Sequence, residues 1–287
     1  MCAAPIIPPG VAEAFSFALG ACVASFLNVV IWRVPRGESI VSPPSHCPRC
    51  GAAIRWWQNI PVVSWFALRG RCAACKAPIS PRYVLVEILG GALFLAAYFK
   101  FAAPGCGGCP AGFAALLVAW TWISLMIAGS FIDFDLQLLP DFTTVGGIVL
   151  GVAWGAARCI PGLAMDGFVL EAFAPLCSSL AGLVTGFGLL WLIRFFGSKA
   201  FGREAMGMGD VFLMGAVGAL FGPVAVLVTL MLSSLLGSVA GLCMVAAAKA
   251  KLGRFVAIPF GPYICLACLC HMFFGEELVA WYMGLLR

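Results

Sequence analysis

Charge is scarce in this sequence. Asp, Glu, Lys and Arg make up 10% of the 287 residues, against about 25% in a soluble globular chain. With 63% hydrophobic residues and a mean hydropathy of +1.05, that deficit excludes a water-soluble domain and implies an integral membrane protein. The spanning segments also lack alternation between apolar and polar residues. The apolar runs are continuous over roughly 20 residues, so helices rather than barrel strands are the expected spanning element. No basic stretch precedes the first run, whereas Arg33 and Arg36 follow it. That order fits a retained span with its N-terminus outside, not a cleaved signal peptide. The net charge of +5 is spread over the loops, so it reports topology, and no nucleic-acid partner is expected.

The runs predict an all-α integral membrane protein with about eight transmembrane helices. Seven lie near 11–32, 83–103, 111–132, 142–160, 175–196, 225–248 and 263–286. The eighth is a short helix from Asp210 to Gly222-Pro223. With the N-terminus outside, 14 of the 17 Lys and Arg residues fall on the cytoplasmic side, as the positive-inside rule requires. The chain divides into a first span (1–32), a polar segment (33–82) and a polytopic helical part (83–287). The small residues Gly20-Ala21-Cys22-Val23-Ala24 suit close helix packing. Asn28 is expected to bond a neighbouring helix, a reading weighed against a catalytic role.

The polar segment contains Cys47-Pro48-Arg49-Cys50 and Cys72-Ala73-Ala74-Cys75. Two such knuckles supply four thiolates for a tetrahedral structural zinc ion, with Cys47, Cys50, Cys72 and Cys75 as ligands. Disulfides or free thiols are the other reading, and a reducing cytosol disfavours the disulfides. A disulfide remains open for Cys106 and Cys109. Cys265, Cys268, Cys270 and His271 look like metal ligands, but in an apolar helix they read as core.

Carboxylates beside long apolar runs are costly and usually functional. Asp133 lies in Ile132-Asp133-Phe134-Asp135-Leu136-Gln137-Leu138-Leu139-Pro140-Asp141, at the end of the third predicted span. Asp210 closes Gly207-Met208-Gly209-Asp210, at the start of the sixth. Both are expected at the cytoplasmic boundary, on the side of the cysteine loop. Two carboxyl groups held together share one proton, so one acts as base and the other as acid. That chemistry activates water for peptide hydrolysis and makes Asp133 and Asp210 the candidate catalytic pair. Asp135 and Asp141 fit helix capping or interfacial solvation. Glu87 has three readings: pairing with Arg82, reaching the interface, or a direct role. Gly146-Gly147 and the glycines of 215–222 read as helix contacts, not phosphate loops.

The motif order resembles that of the bacterial type IV prepilin peptidases. Carrying the resemblance are Ser25-Phe26-Leu27-Asn28-Val29-Val30-Ile31-Trp32-Arg33-Val34-Pro35, Asn59-Ile60-Pro61, Ser64-Trp65, Leu68-Arg69-Gly70-Arg71-Cys72 and Pro78-Ile79-Ser80-Pro81-Arg82-Tyr83. Glu87, the Asp133–Asp141 stretch, Met206–Asp210 and Pro259-Phe260-Gly261-Pro262 extend it over nearly the whole chain. The resemblance implies an aspartyl endopeptidase of the bacterial inner membrane that removes the basic leader from prepilins or pseudopilins, for type IV pili or type II secretion. It also implies N-methylation of the new terminus with S-adenosylmethionine, and a structural zinc. The donor pocket is not visible as a motif, although the family points towards Gly70 and Arg71. Two positions depart from the family pattern: Phe212 stands where Lys is usual, and Trp56-Trp57-Gln58 replaces a more polar entry. The alternatives are a presenilin-like intramembrane protease and a proton-coupled transporter. The first lacks its late Pro-Ala-Leu motif here and leaves the cysteine loop unexplained; the second would place its carboxylates nearer mid-membrane.

Overall fold

The computed structural model describes residues 10–102, 110–160, 173–247 and 259–285. Among the described residues, six helices are long and apolar enough to cross a membrane. In chain order the helices are α1 (Val11–Arg33), a short α2 (Val63–Ala67), α3 (Pro81–Phe101), α4 (Pro110–Leu136) and α5 (Asp141–Ala157). They continue with α6 (Ala174–Phe201), α7 (Met208–Phe221), α8 (Pro223–Ala247) and α9 (Gly261–Leu285). Two of the eight expected hydrophobic helices, α5 and α7, are shorter apolar helices. Among the described residues β structure is limited to two isolated bridges, His46 with Ala53 and Arg71 with Pro78. Cys106, Cys109, Lys249, Lys251, Arg254 and Arg287 lie outside the described residues.

Backbone contacts divide the chain into two compact units, Met1–Ala128 and Gly129–Arg287. In the first, α1 and α3 meet through small residues. A Cβ built on Gly20 would lie 2.6 Å from the Gly90 carbonyl oxygen, and one on Gly90 would lie 2.4 Å from the Ala24 Cβ. The small-residue patch of α1 is thus a helix contact, as its composition suggested. Asn28 Nδ2 donates to the Tyr83 carbonyl at 3.2 Å, tying α1 to α3. The Trp120 ring of α4 stacks on Phe94 at 5.1 Å and donates its Nε1–H to the Phe94 carbonyl at 3.0 Å.

The second unit is organised around α7, which is buried along most of its length. Polar side chains can hardly line a helix buried in this way, and its sequence is Gly, Ala, Val, Leu, Met and Phe apart from Asp210. Gly182 of α6 and Gly218 of α7 sit face to face: a Cβ on either would come within 2.0 Å of the other's carbonyl oxygen. Ser179 Oγ joins three helices, at 2.6 Å from the Ala219 carbonyl of α7 and 3.3 Å from the Gly151 carbonyl of α5. Helix α5 begins after Pro140, whose carbonyl accepts from Thr143 Oγ1 at 2.7 Å.

The Gly182–Gly218 contact makes a prediction within one helix. Gly182→Ala should destabilise the protein by about 1–3 kcal/mol through overpacking against backbone. Gly188→Ala, with nothing within 4 Å of the new Cβ, should be neutral or slightly stabilising, since Ala is the better helix former. Thermal unfolding of the detergent-solubilised variants checks the contrast. Equal unfolding temperatures would show that the close approach is not rigid.

Candidate active site and metal centre

Asp133 and Asp210 both belong to the second unit and are buried, with 5% and 8% of their surface exposed. Helix α4 does not stop at Ile132, where the apolar run ends, but continues to Leu136. Asp133 therefore sits one turn inside the helix, where its carbonyl accepts the Gln137 N–H at 2.8 Å. Gln137 itself turns left-handed, with φ 53°, and so ends the helix. Asp210 is the third residue of α7, and Gly207 precedes the helix in extended conformation. The two carboxyl groups are within electrostatic range of each other.

The surroundings of this pair are built from glycine and one leucine. Gly261, the first residue of α9, presents bare backbone to Asp133; a Cβ there would lie 2.6 Å from Asp133 Oδ2. Among the described residues no well-formed hydrogen bond reaches that oxygen, and the Gly261 backbone N–H is the polar group set against the Asp133 carboxyl. Leu139 fills the space alongside. Its side chain would lie 3.5 Å from a Cβ on Gly129, 2.8 Å from one on Gly209 and 3.2 Å from one on Gly261. Cys265, one turn into α9, is buried and within electrostatic reach of both carboxylates. Sequence reading gave no individual role to Gly261 or Leu139, and it read Cys265 as core. The Pro259-Phe260-Gly261-Pro262 motif was the available signal for the first.

Other acidic residues separate cleanly from the pair. Asp135 and Asp141 are exposed, and Asp141 lies in the first turn of α5, where a negative charge complements the helix dipole. In the first unit, Glu87 Oε2 accepts the Val62 N–H at 2.7 Å. Val62 has φ 64° and ψ −57°, and the Val63 N–H reaches the Pro61 carbonyl at 2.6 Å. A β-branched residue in that tight turn is strained, so Glu87 helps hold an otherwise unfavourable loop. Phe212 packs at a tilt on Phe187 of α6, with ring centroids 5.4 Å apart. The segment before α7 is anchored by Arg194, which donates to the Met206 carbonyl at 2.9 Å and pairs with Glu204 at 3.0 Å. Cys265 and Cys268 are buried and Cys270 is half-buried, in line with the core reading of that segment.

The four loop cysteines come together in the first unit. Their sulfurs lie within 4.8 Å of one another, with Cys47 Sγ and Cys75 Sγ 3.9 Å apart. Four sulfurs about 2.3 Å from a tetrahedral zinc ion would be about 3.8 Å apart, so the arrangement fits a single ion with little movement. The two knuckles repeat one backbone pattern. Cys47 N–H donates to the Ala52 carbonyl at 2.9 Å, and Cys72 N–H to the Ala77 carbonyl at 2.8 Å. Gly51 and Lys76 both take the left-handed turn, at φ 70° and 59°. Backbone N–H groups of Cys50 and Arg49 hold the Cys47 thiol down, to about 6. Those of Cys75 and Ala74 lower Cys72 likewise. At Cys50 the Ala52 N–H lowers the thiol, but the neighbouring thiols, Cys75 first, outweigh it and push it up to about 11; thiolate is the form that binds metal, so binding there would release a proton.

Comparison with known proteins gives a consistent answer over most of the chain. Residues 18–101 match the bacterial peptidase A24 N-terminal domain, and residues 120–242 match the type IV leader peptidase family. The prepilin leader peptidase/N-methyltransferase of Myxococcus xanthus is 42% identical over 234 residues, covering 81% of this chain and 63% of that protein. The protein of the same name from Stutzerimonas stutzeri is 37% identical, covering 94% of this chain and 93% of its own length. That from Neisseria gonorrhoeae is 36% identical, with 85% and 84% covered. No solved structure matches the chain.

Elemental analysis of the purified protein should find about one zinc per chain. Cys47→Ser combined with Cys50→Ser should remove it, because two sulfurs cannot hold a structural zinc. Acidification should also release the metal as the ligands take up protons. Carefully prepared, unchelated protein without zinc would contradict the assignment.

Proposed function

This chain belongs to the type IV leader peptidase family, and on that premise we propose that it is a membrane aspartyl endopeptidase. It removes the basic leader from prepilins or pseudopilins and then methylates the new N-terminus. The observation carrying the peptidase reading is the pair of buried carboxyl groups, Asp133 and Asp210, within electrostatic range of each other in one unit, with Asp133 set against bare backbone at Gly261. A buried carboxyl group is costly, and a bound water or a substrate amide would relieve part of that cost. The transporter and presenilin-like alternatives leave the family relationship unexplained.

The chemistry follows from two carboxyl groups sharing a proton. The ionised member takes a proton from water as the water oxygen attacks the scissile carbonyl carbon. The protonated member donates to the carbonyl oxygen, and the departing amine takes a proton as the carbon–nitrogen bond breaks. The products are the leader's carboxyl terminus and the mature chain's free amine. Such a pair titrates as a unit, so the two roles belong to the dyad. Bare backbone at Gly209 and Gly261 lets the Leu139 side chain and the Asp133 carboxyl group pack directly against it.

The cysteine cluster would hold a structural zinc, since a four-cysteine site leaves no open position for water. S-adenosylmethionine supplies an electrophilic methyl group to the new amine when it is bound. The bacterial inner membrane is the proposed location, with the N-terminus outside and both the zinc loop and the carboxyl pair at the cytoplasmic face. The distribution of basic residues supports that orientation.

Asp133→Asn and Asp210→Asn should each reduce cleavage of a pseudopilin by about 10²–10⁴-fold, the usual contribution of a general acid–base group. Asp135→Asn should act much more weakly. Near-normal cleavage by a correctly inserted Asp133 or Asp210 variant would remove the dyad. Gly261→Ala should lower cleavage about tenfold or more by displacing the Asp133 carboxylate, with little change in membrane insertion. Mass analysis separates the two activities. Cleavage should proceed without the donor, and the mature product should gain about 14 Da only when the donor is present, one CH2 being added covalently. Methylation of uncleaved substrate at the future terminus would contradict this order.

A further inference from the structure

The opening motif of α1 is not used by the dyad or by the cysteine cluster, yet it forms one wall of a cavity in the first unit. The cavity holds about 350 Å³ and is lined by Ser25, Phe26 and Arg33 of α1 and by Val41, Asn59 and Pro61 of the loop, among others. That volume is within the range of small-molecule sites, about 300–1,000 Å³. Its lining mixes apolar side chains with the polar groups of Ser25, Arg33, Ser45 and Asn59, so its surface is about evenly polar and apolar.

Arg33 is the informative residue. Only 9% of its surface is exposed, so its charge is largely withdrawn from water. One guanidinium nitrogen donates to the Ser39 carbonyl at 2.9 Å. No carboxylate pairs with Arg33 among the described residues. A buried cation without a counter-ion is costly, and a planar guanidinium favours a carboxylate bound through two parallel hydrogen bonds. Arg33 is also the only ionisable wall residue apart from the Cys22 thiol. The cavity therefore asks for a small ligand with one carboxylate and a sizeable flat or apolar part.

From this, and resting on the methyltransferase reading above, we infer that the cavity is the S-adenosylmethionine site, with Arg33 taking the donor's carboxylate. Phe26, half exposed, offers a ring face to the adenine. Ser25 and Asn59 offer hydrogen bonds to the ribose hydroxyls and the amino group. Gly70 and Arg71, where the family resemblance pointed, are not among the walls; a Cβ on Gly70 would meet the Trp65 ring at 2.9 Å.

Equilibrium dialysis of the full-length, detergent-solubilised protein against radiolabelled S-adenosylmethionine tests the assignment. Arg33→Met should weaken binding about tenfold or more, consistent with loss of hydrogen bonds to a charged group, and Arg33→Lys should recover part of it. Arg36→Met removes an equal charge from a residue whose guanidinium lies over the Trp32 ring at 3.7 Å, and should bind like the wild type. Val29→Trp fills the cavity without touching any charge and should also abolish binding. Zinc content and monodisperse elution show that each variant is folded. A photoreactive azido-adenine analogue of the donor should label peptides from α1 or from the segment between α1 and Pro61. If the wild type binds and methylates while Arg33→Met and Val29→Trp bind normally, this site is wrong and methyl transfer stands. If the wild type neither binds the donor nor methylates, the methyltransferase reading fails and takes this inference with it.

Discussion

Burying two carboxyl groups in one apolar helical unit is the constraint on which the second unit depends. An ionised carboxylate out of water is strongly disfavoured unless something compensates it, and here both Asp133 and Asp210 are almost fully covered. The two lie within electrostatic range of each other, and sharing one proton would lower the cost of burying both. The rest of the unit keeps the pair in place. Gly182 and Gly218 let α6 and α7 touch backbone to backbone, and Ser179 pins α7 to α5 and α6. Leu139 and Gly261 then set the space beside Asp133. Small residues thus do on the inside of this unit what side-chain size does in an ordinary core. They let rigid helices approach until the carboxyl groups they carry are fixed.

The first unit solves a different problem. Its polar segment is too short of apolar residues to fold on a core of its own, and many of its side chains are exposed. Two knuckles with matching backbone hydrogen bonds bring four sulfurs to the spacing of one metal ion, and an ion bound there would replace a core with a cross-link. Glu87 adds a second fastening, from α3 to the strained turn at Val62. A segment held at these points can present Asn59 and Pro61 to the end of α1, where Arg33 lies buried.

Much of this was legible in the residues because membrane helices declare themselves by composition. The observed bounds of α1, α3, α5 and α7 fall within about three residues of those expected from hydropathy alone. The cysteine spacing foretold the cluster for a similar reason, since a Cys-x-x-Cys turn has few ways to fold. The exact position of Asp133 was less legible. Hydropathy falls at Asp133, but helical hydrogen bonding does not, so α4 runs one turn beyond the apolar run. Gly261 and Leu139 were out of reach because their importance lies in contacts between segments far apart in the chain. Arg33 was hidden differently: a basic residue after a span reads as a topology marker, and only burial distinguishes it from Arg36.

The central claim is that the two carboxyl groups activate water directly. A single-turnover cleavage of pseudopilin in heavy-oxygen water, with enzyme in excess, tests it most closely. One heavy oxygen atom should enter the leader's new carboxyl terminus, and none should enter the side chains of Asp133 or Asp210. Label in either aspartate would reveal a covalent acyl intermediate and contradict general acid–base catalysis by the pair.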